Sequence, residues 1–373
     1  MITTIIIFIL VLSVLVLAHE FGHFFSARKF GVKSEEFGLG FPPRAIGVYK
    51  DAKGKWRRLL GNKSVEDLAG EAIPADTVYS LNWLPIGGFV KIKGQDGDSR
   101  EENDSFGAKK IWQRAIILAA GVFMNIVLAF VLFSLCFMIG VPQSVDTGGR
   151  IQITEIIKGS PAQTAGILSG DIVLGADGQN FASVLEMQNY ISARGGNDIS
   201  LALRRGNQDL NIKVKPELKD AKVLIGVGLD QVDTVHYSFF RSIWEGLKHT
   251  AILLWLILVA FFGLIRNMII GVGAGDAVGG PIRIAQMTGE VARFGLVNLL
   301  NFTAILSLNL AVINFLPFPA LDGGRILFLI IEKIKGKPVK KETEAVIHNV
   351  GFIILLALIV LVTYKDIARM FIK

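Results

Sequence analysis

The sequence predicts a multi-pass α-helical membrane protein with four transmembrane helices, an inserted α+β module and a membrane-associated β-hairpin. Three observations carry this reading. Hydrophobic residues make up 51% of the 373 and mean hydropathy is +0.51, well above the balance of soluble domains. Apolar runs long enough to cross a bilayer, which takes about 20 residues, recur at Ile2 to about Phe25, Ile111–Ile139, Leu296–Phe318 and Ala345–Val362. Between the second and third of these lies a stretch of soluble character, in which short β-type runs alternate with Gly and Asp turns.

The net charge of +7 and the pI near 9.4 do not indicate nucleic acid. The basic residues collect in segments flanking apolar runs, as in cytoplasmic loops, so the expected environment is a lipid bilayer. The single cysteine, Cys136, lies inside an apolar run. It allows neither a disulfide within the chain nor a thiolate metal site, so a metal must be held by His and carboxylates.

Residues 1–28 are read as the first span. They lack a basic stretch ahead of the apolar run and a small-residue cleavage site after it, so the run reads as a permanent span. Its end carries His19-Glu20-Phe21-Gly22-His23. On a helix His19 and His23 stand at i and i+4, so their imidazoles share a face and can grip one metal ion. Glu20 is rotated about 100° from them, placed to take a proton from a metal-bound water as catalytic base. Ionisable residues within a span cost roughly 2.5–3.5 kcal/mol each on insertion scales, so three together imply a function.

Residues 29–110 form a polar region on the inner side. Its end, Tyr79–Lys93, alternates around Gly87-Gly88 and reads as strand, turn, strand over about 79–93, whereas Asp51–Asp76 is charged and reads as a loop or insert. The exposed edge near Gly87, Gly88, Phe89, Val90 and Lys91 is a candidate substrate-binding strand, pairing with an unwound peptide. The alternative is that the hairpin only anchors at the interface. Residues 111–140 are the second span, where Asn125 reads as a packing or helix–helix hydrogen-bond residue. Residues 145–232 form the soluble module, in which Ser183–Ala193 is helical and RIQITEII, DIVLGADG, ISLALRR and LNIKVK are strands.

Residues 236–290 are expected to be interfacial helices. The fifth apolar run within them, Ala251–Ile265, holds about 15 uncharged residues, about 22 Å of helix against a core of ~30 Å. Residues 295–332 are the third span and carry Asn314-Phe315-Leu316-Pro317-Phe318-Pro319-Ala320-Leu321-Asp322-Gly323-Gly324. Irregular backbone at membrane depth is tolerated where protein or a cavity satisfies it. Asp322 is therefore the candidate third metal ligand, with a helix stop and N-cap as the alternative. His236, His249 and His348 are assigned surface or core roles. Residues 345–366 are the fourth span.

These residues resemble the site-2 protease family, peptidase M50, in its bacterial branch of regulator-of-sigma-E type. HEFGH, LDGG and the module between them carry the resemblance, with FGLGFPPR (Phe37–Arg44), LPIGGFVKIKG (Leu84–Gly94) and FGAKKIWQR (Phe106–Arg114). GSPAQTAGILSGDIV (Gly159–Val173) resembles the core of a PDZ domain. The resemblance implies Zn2+ held by His19, His23 and Asp322, Glu20 as base, and Asn314 in substrate binding or transition-state stabilisation. It implies a zinc metalloendopeptidase acting on single-pass transmembrane proteins, such as anti-sigma factors or remnant signal peptides. The second span departs from the family's Gly-Pro-x-x-Asn, reading Gly121-Val122-Phe123-Met124-Asn125.

The metal site also tests the topology. His19 and Asp322 must meet at one depth, which requires the first and third spans to run in the same direction. With the first span running inward in the plasma membrane, the PDZ-like module and both termini lie outside, and Ala251–Ile265 does not cross. A non-catalytic PDZ-bearing scaffold is the alternative function, but it would not need Glu20. A transporter would want ionisable residues spread across the spans.

Overall fold

The computed structural model describes residues 2–61, 74–95, 102–145, 148–206, 208–219, 222–271 and 279–371. Helix α1 (Ile2–Lys29) buries Val11, Leu15, His19, Gly22, His23 and Ala27 along one stripe of about four-residue period. Its other faces expose Ile5, Ile6, Leu10, Phe21 and Phe25, as a lipid-facing helix would. Arg28 and Lys29 stand in the last turn, where the helix dipole favours them, and Gly31 at φ 66° ends the helix.

Strands β1 (Ser34–Lys50), β2 (Trp56–Leu60) and β3 (Val78–Ile92) form one sheet in the order β2-β1-β3. Both long strands bend, so each contributes two segments. Gly38 is in register with Phe89 and also with Ser80, while Gly47 and Val48 reach Ser80 and Tyr79 from the far end of β1. The diglycine is therefore not the turn of a two-stranded hairpin. Leu39 faces Gly88 and Phe41 faces Leu84, leaving Pro85, Ile86 and Gly87 opposite Gly40 alone. This is a bulge, which suits a Pro that has no N–H to donate and a Gly87 at φ 74°. The reading of Asp51–Asp76 as loop is corrected in part, because Trp56–Leu60 pairs with Ile46–Lys50. Buried Asp51 ties that turn, accepting from the backbone of Lys53 and Lys55 and from Arg57. Residues 62–73 of this stretch lie outside the described residues.

Helix α2 (Ile111–Ile139) follows. Then come β4 (Val141–Ser144), β5 (Arg150–Ile156), α3 (Pro161–Thr164), β6 (Ile172–Ala176) and α4 (Val184–Ala193). After them stand β7 (Ile199–Arg205), β8 (Gln208–Val214), the β9–β10 hairpin (Glu217–Lys219, Lys222–Leu224) and β11 (Val227–Val235). Six of these strands make an antiparallel sheet in the order β4-β11-β5-β6-β7-β8. Alternation along β7 buries Ile199, Leu201 and Leu203 in a core with Ile151, Ile153, Ile167, Met187 and Ile191. Ser160 and Ser183 cap α3 and α4, each accepting from the backbone N–H three residues on. The module thus holds its own core and its own helix caps.

Asp171, fully buried there, accepts from the Leu168 backbone and from the Arg205 guanidinium through both oxygens. Arg205→Ala leaves that carboxylate uncompensated. The isolated module 141–235 is expected to lose about 3 kcal/mol of unfolding free energy in a denaturant titration. A loss below about 1 kcal/mol would place the pair with surface ion pairs instead.

Helix α5 (Phe239–Ile269) runs for 31 residues, and this corrects the expected length of the fifth apolar run. Its flanks Trp244, Leu247 and Met268 extend the helix beyond the uncharged core, so about 46 Å of helix is available. Among the described residues, five helices are long and apolar enough to cross a membrane. Helix α6 (Pro281–Arg293) is short and amphipathic. The segment expected as one span over 295–332 is two helices, α7 (Leu296–Phe315) and α8 (Asp322–Lys335), separated by a proline-containing turn. Helix α9 (Lys341–Phe371) ends the fold and exposes Ile353, Leu356, Val360 and Leu361.

Candidate metal centre and active site

Three helices supply the site. His19 and His23 occupy the buried stripe of α1, and Asp322 opens α8. His19 Nε2 lies 3.0 Å and His23 Nε2 3.3 Å from Asp322 Oδ2, and the two imidazole nitrogens are 3.1 Å apart. Tetrahedral ligands with bonds of about 2.0–2.1 Å to zinc have edges of about 3.3 Å, so the three atoms stand at the spacing of one metal's ligands. Asp322 Oδ2 is buried and has no hydrogen-bond partner among the described residues, which a cation would supply. These are the residues of the one such cluster found among the described residues.

The backbone before Asp322 explains its place. Leu321 is the residue that precedes α8 and makes no side-chain cap, so Asp322 is not serving as an N-cap. A Cβ on Gly323 would fall about 2.5 Å from the Phe315 carbonyl carbon, and one on Gly324 2.8 Å from that of Phe318. The diglycine is thus required for α8 to start directly beneath the turn. Ala320 takes φ 75°, and its N–H donates to His348 Nδ1 on α9 at 2.9 Å. Gly351 allows Pro319 to approach α9, since a Cβ there would meet the Pro319 oxygen at 2.7 Å. His348, expected to be a surface or core residue, therefore holds the turn that leads to the candidate ligand. His249 packs its ring on Phe133, and His236 lies beside Gly140.

Helix α2 faces the two histidines through Ile117, Gly121 and Asn125, spaced four apart. His23 Nδ1 donates to the Ile117 carbonyl at 2.8 Å, which leaves Nε2 bare for a metal. A Cβ on Gly121 would stand 2.7 Å from His23 Cε1 and 2.8 Å from His19 Cε1. Gly22 makes the same crossing close from the other side, since its Cβ would lie 2.6 Å from the Ala120 carbonyl carbon. Asn125 reaches His19 Nδ1 at 3.3 Å, a hydrogen bond between helices that touches the site. Its signal in the sequence is its position one turn beyond Gly121 on the same face, visible only once α1 and α2 are paired.

Glu20 is half-buried and accepts the Val90 N–H at 3.0 Å. Val90 belongs to the segment Leu84–Ile92 of β3, which pairs with β1 on one side, and its N–H points away from that ladder. Gly88 shares its orientation, two residues away. A Cβ at Gly88 would meet the Gly38 oxygen at 2.8 Å and Leu17 at 3.3 Å, so the glycine lets this edge lie close to α1. Gly87 packs near Phe41 and Val16, Phe89 is half-buried, and exposed Lys91 pairs with Glu35 at 2.8 Å. The structure does not join Asn314 to the cluster: it sits half-buried in the last turn of α7 and makes no side-chain hydrogen bond among the described residues.

Comparison with known proteins gives the same frame. A family model described as peptidase family M50 matches residues 7–59 and 65–358. A protein of Clostridium perfringens bearing a zinc metalloprotease name is 34% identical over 360 residues, 96% of this chain and 97% of its own. The Regulator of sigma-W protease RasP of Bacillus subtilis is 28% identical over 452 residues, 99% of each chain. Among solved structures, the PDZ domain of the SdrC-like protein Lin2157 from Listeria innocua aligns with 25% of this chain and 99% of its own, at 26% identity and a TM-score of 0.20. The family match runs through His19, Glu20, His23 and Asp322 and covers most of the helices and the sheet module, so this chain belongs to peptidase family M50.

Proposed function

We propose that this protein is an intramembrane zinc metalloendopeptidase that cleaves single-pass membrane proteins. The observation that carries the reading is the convergence of His19 Nε2, His23 Nε2 and Asp322 Oδ2 at ligand spacing, with Glu20 beside them on a span. When bound there, zinc supplies an acidified water and a Lewis acid for the scissile carbonyl. Glu20 takes the proton from the attacking water and returns it to the leaving amine, so that one water and one peptide bond give an acid and an amine.

A substrate helix hides its carbonyls in its own hydrogen bonds and must open first. The outward edge of β3 at Gly87, Gly88, Phe89, Val90 and Lys91 supports pairing with an unwound segment as an added strand. In the present structure Glu20 accepts the Val90 N–H on that edge, so Glu20 and a pairing substrate compete for one donor. Asn314 is assigned to substrate binding or transition-state stabilisation on the family resemblance alone.

The topology proposed is four spans, α1, α2, α7 and α9, in the plasma membrane, with the PDZ-like module on the outer face. Helix length no longer supports leaving α5 out, and the case rests on parity. Asp322 follows the C-terminal end of α7 and meets His19 in the second half of α1, so these two helices must cross in the same direction. By analogy with the named RasP relatives, anti-sigma factors or remnant signal peptides are the substrates proposed.

Purified protein in lipid, offered a panel of single-span substrates, is expected to cut at least one within or next to its span. A chelator abolishes the cleavage and added zinc restores it. Cleavage that survives complete metal removal sinks the proposal.

A further inference from the structure

We propose that Asn125 is a positioning residue of the metal centre, holding His19 in the tautomer that leaves Nε2 free to ligate. The inference rests on the reading of His19, His23 and Asp322 as the ligand set. It concerns the other end of the His19 ring, for which the resemblance names no partner.

His19 directs Nε2 at Asp322 and at His23 Nε2, at 3.0 and 3.1 Å. A metal among these atoms requires Nε2 without a proton, so the ring proton of neutral His19 sits on Nδ1. Buried inside the membrane, that N–H needs an acceptor. Among the described residues the polar side chain placed for it is Asn125, whose Nδ2 stands 3.3 Å from His19 Nδ1, so that a half-turn of the amide brings Oδ1 to the ring. Asn125 is 0% exposed, and its Oδ1 has no partner among the described residues. The bond also joins α2 to α1, and the group it reaches on α1 is the ring of a candidate ligand. With the amide turned so, Oδ1 accepts from Nδ1–H, the arrangement that leaves Nε2 to a metal.

The backbone is arranged for the same end. Ser307 on α7, also fully buried, donates its hydroxyl to the Asn125 carbonyl at 2.8 Å and so fixes this turn of α2. Along α2 the three positions then divide the work. Ile117 supplies the acceptor for His23 Nδ1, Gly121 leaves room for both rings, and Asn125 brings its side-chain amide to His19 Nδ1. Outer partners of this kind set ring orientation and basicity, and their removal costs a metal site about 10–100-fold in affinity.

The test is zinc affinity of the full chain in detergent, by competition with a chromophoric chelator, for wild type, Asn125→Ala and Asn125→Asp. Asn125→Ala is expected to weaken zinc binding about 10–100-fold, and Asn125→Asp, which keeps an acceptor, to stay within a few fold of wild type. Histidine 15N spectra of the zinc-loaded wild type read the same point without a substitution and are expected to show His19 protonated at Nδ1. Equal affinity in wild type and Asn125→Ala overturns the inference, as does equal weakening in Asp and Ala variants that keep the wild-type helical spectrum. A His19 protonated at Nε2 overturns it too. If wild type takes up no zinc at all, it is the ligand set that fails. If wild type binds one zinc and Asn125→Ala binds it as tightly, only the role of Asn125 fails.

Discussion

Glu20→Gln is expected to lower peptide cleavage by about 10²–10⁴-fold while leaving one zinc per chain. The reasoning separates the proton from the shape. Gln keeps an oxygen that accepts the Val90 N–H, the 3.0 Å bond that places this side chain. It also keeps nearly the same volume among its neighbours on α1. What it removes is the basic carboxylate, and with it the route by which a proton leaves the attacking water and reaches the amine. Metal content and turnover are therefore expected to part company in this variant: metal analysis reads the first, a single-span substrate the second. Wild-type turnover in Glu20→Gln would mean that another group carries the proton, and the assignment of the base would be withdrawn.

Gly121→Ala is the sharper test of the geometry. Alanine is the better helix former by about 1 kcal/mol, so α2 by itself gains from the change. Yet the added methyl lands 2.7 Å from His23 Cε1 and 2.8 Å from His19 Cε1, on the side where α2 meets the rings. The rings have little freedom to move aside, since His23 is held by the Ile117 carbonyl and His19 by Asn125. The expected result is loss of stoichiometric zinc and of cleavage, with the helical circular dichroism of wild type retained. A zinc-loaded, active Gly121→Ala protein would show that α2 does not approach the histidines as closely as described. Metal-free Asp322→Ala provides the comparison, because it removes a ligand and leaves the crossing of α1 and α2 untouched.

The pair His19–His23 was legible in the chain because both residues lie one helical turn apart, and a local period fixes which side chains share a face. The same holds for the long apolar runs, since crossing a bilayer is a matter of length and composition, and for the alternating strands of the sheet module. The diglycines at Gly87-Gly88 and Gly323-Gly324 were visible as places where backbone does something unusual. What each one does was not. Gly87 sits in a bulge opposite Gly40, and Gly323 and Gly324 let α8 begin beneath the Phe315–Pro319 turn.

Other features depend on partners far away in the chain. Nothing near Phe37–Arg44 shows that it pairs with both arms of β3, because register is a property of two strands together. The length of α5 was underestimated because charged and polar flanks such as Lys248 and Arg266 end an apolar run without ending a helix. Asp322 joins His19 across 303 residues, Val90 reaches Glu20 across 70, and Asn125 reaches His19 across 106. The residue types and their local spacing therefore announced the chemistry and the membrane setting. Packing of α1 against α2, the β3 edge and α8 chose which groups surround the metal site, since contacts at that separation follow from how helices and strands meet and leave no periodic trace in the residues between them.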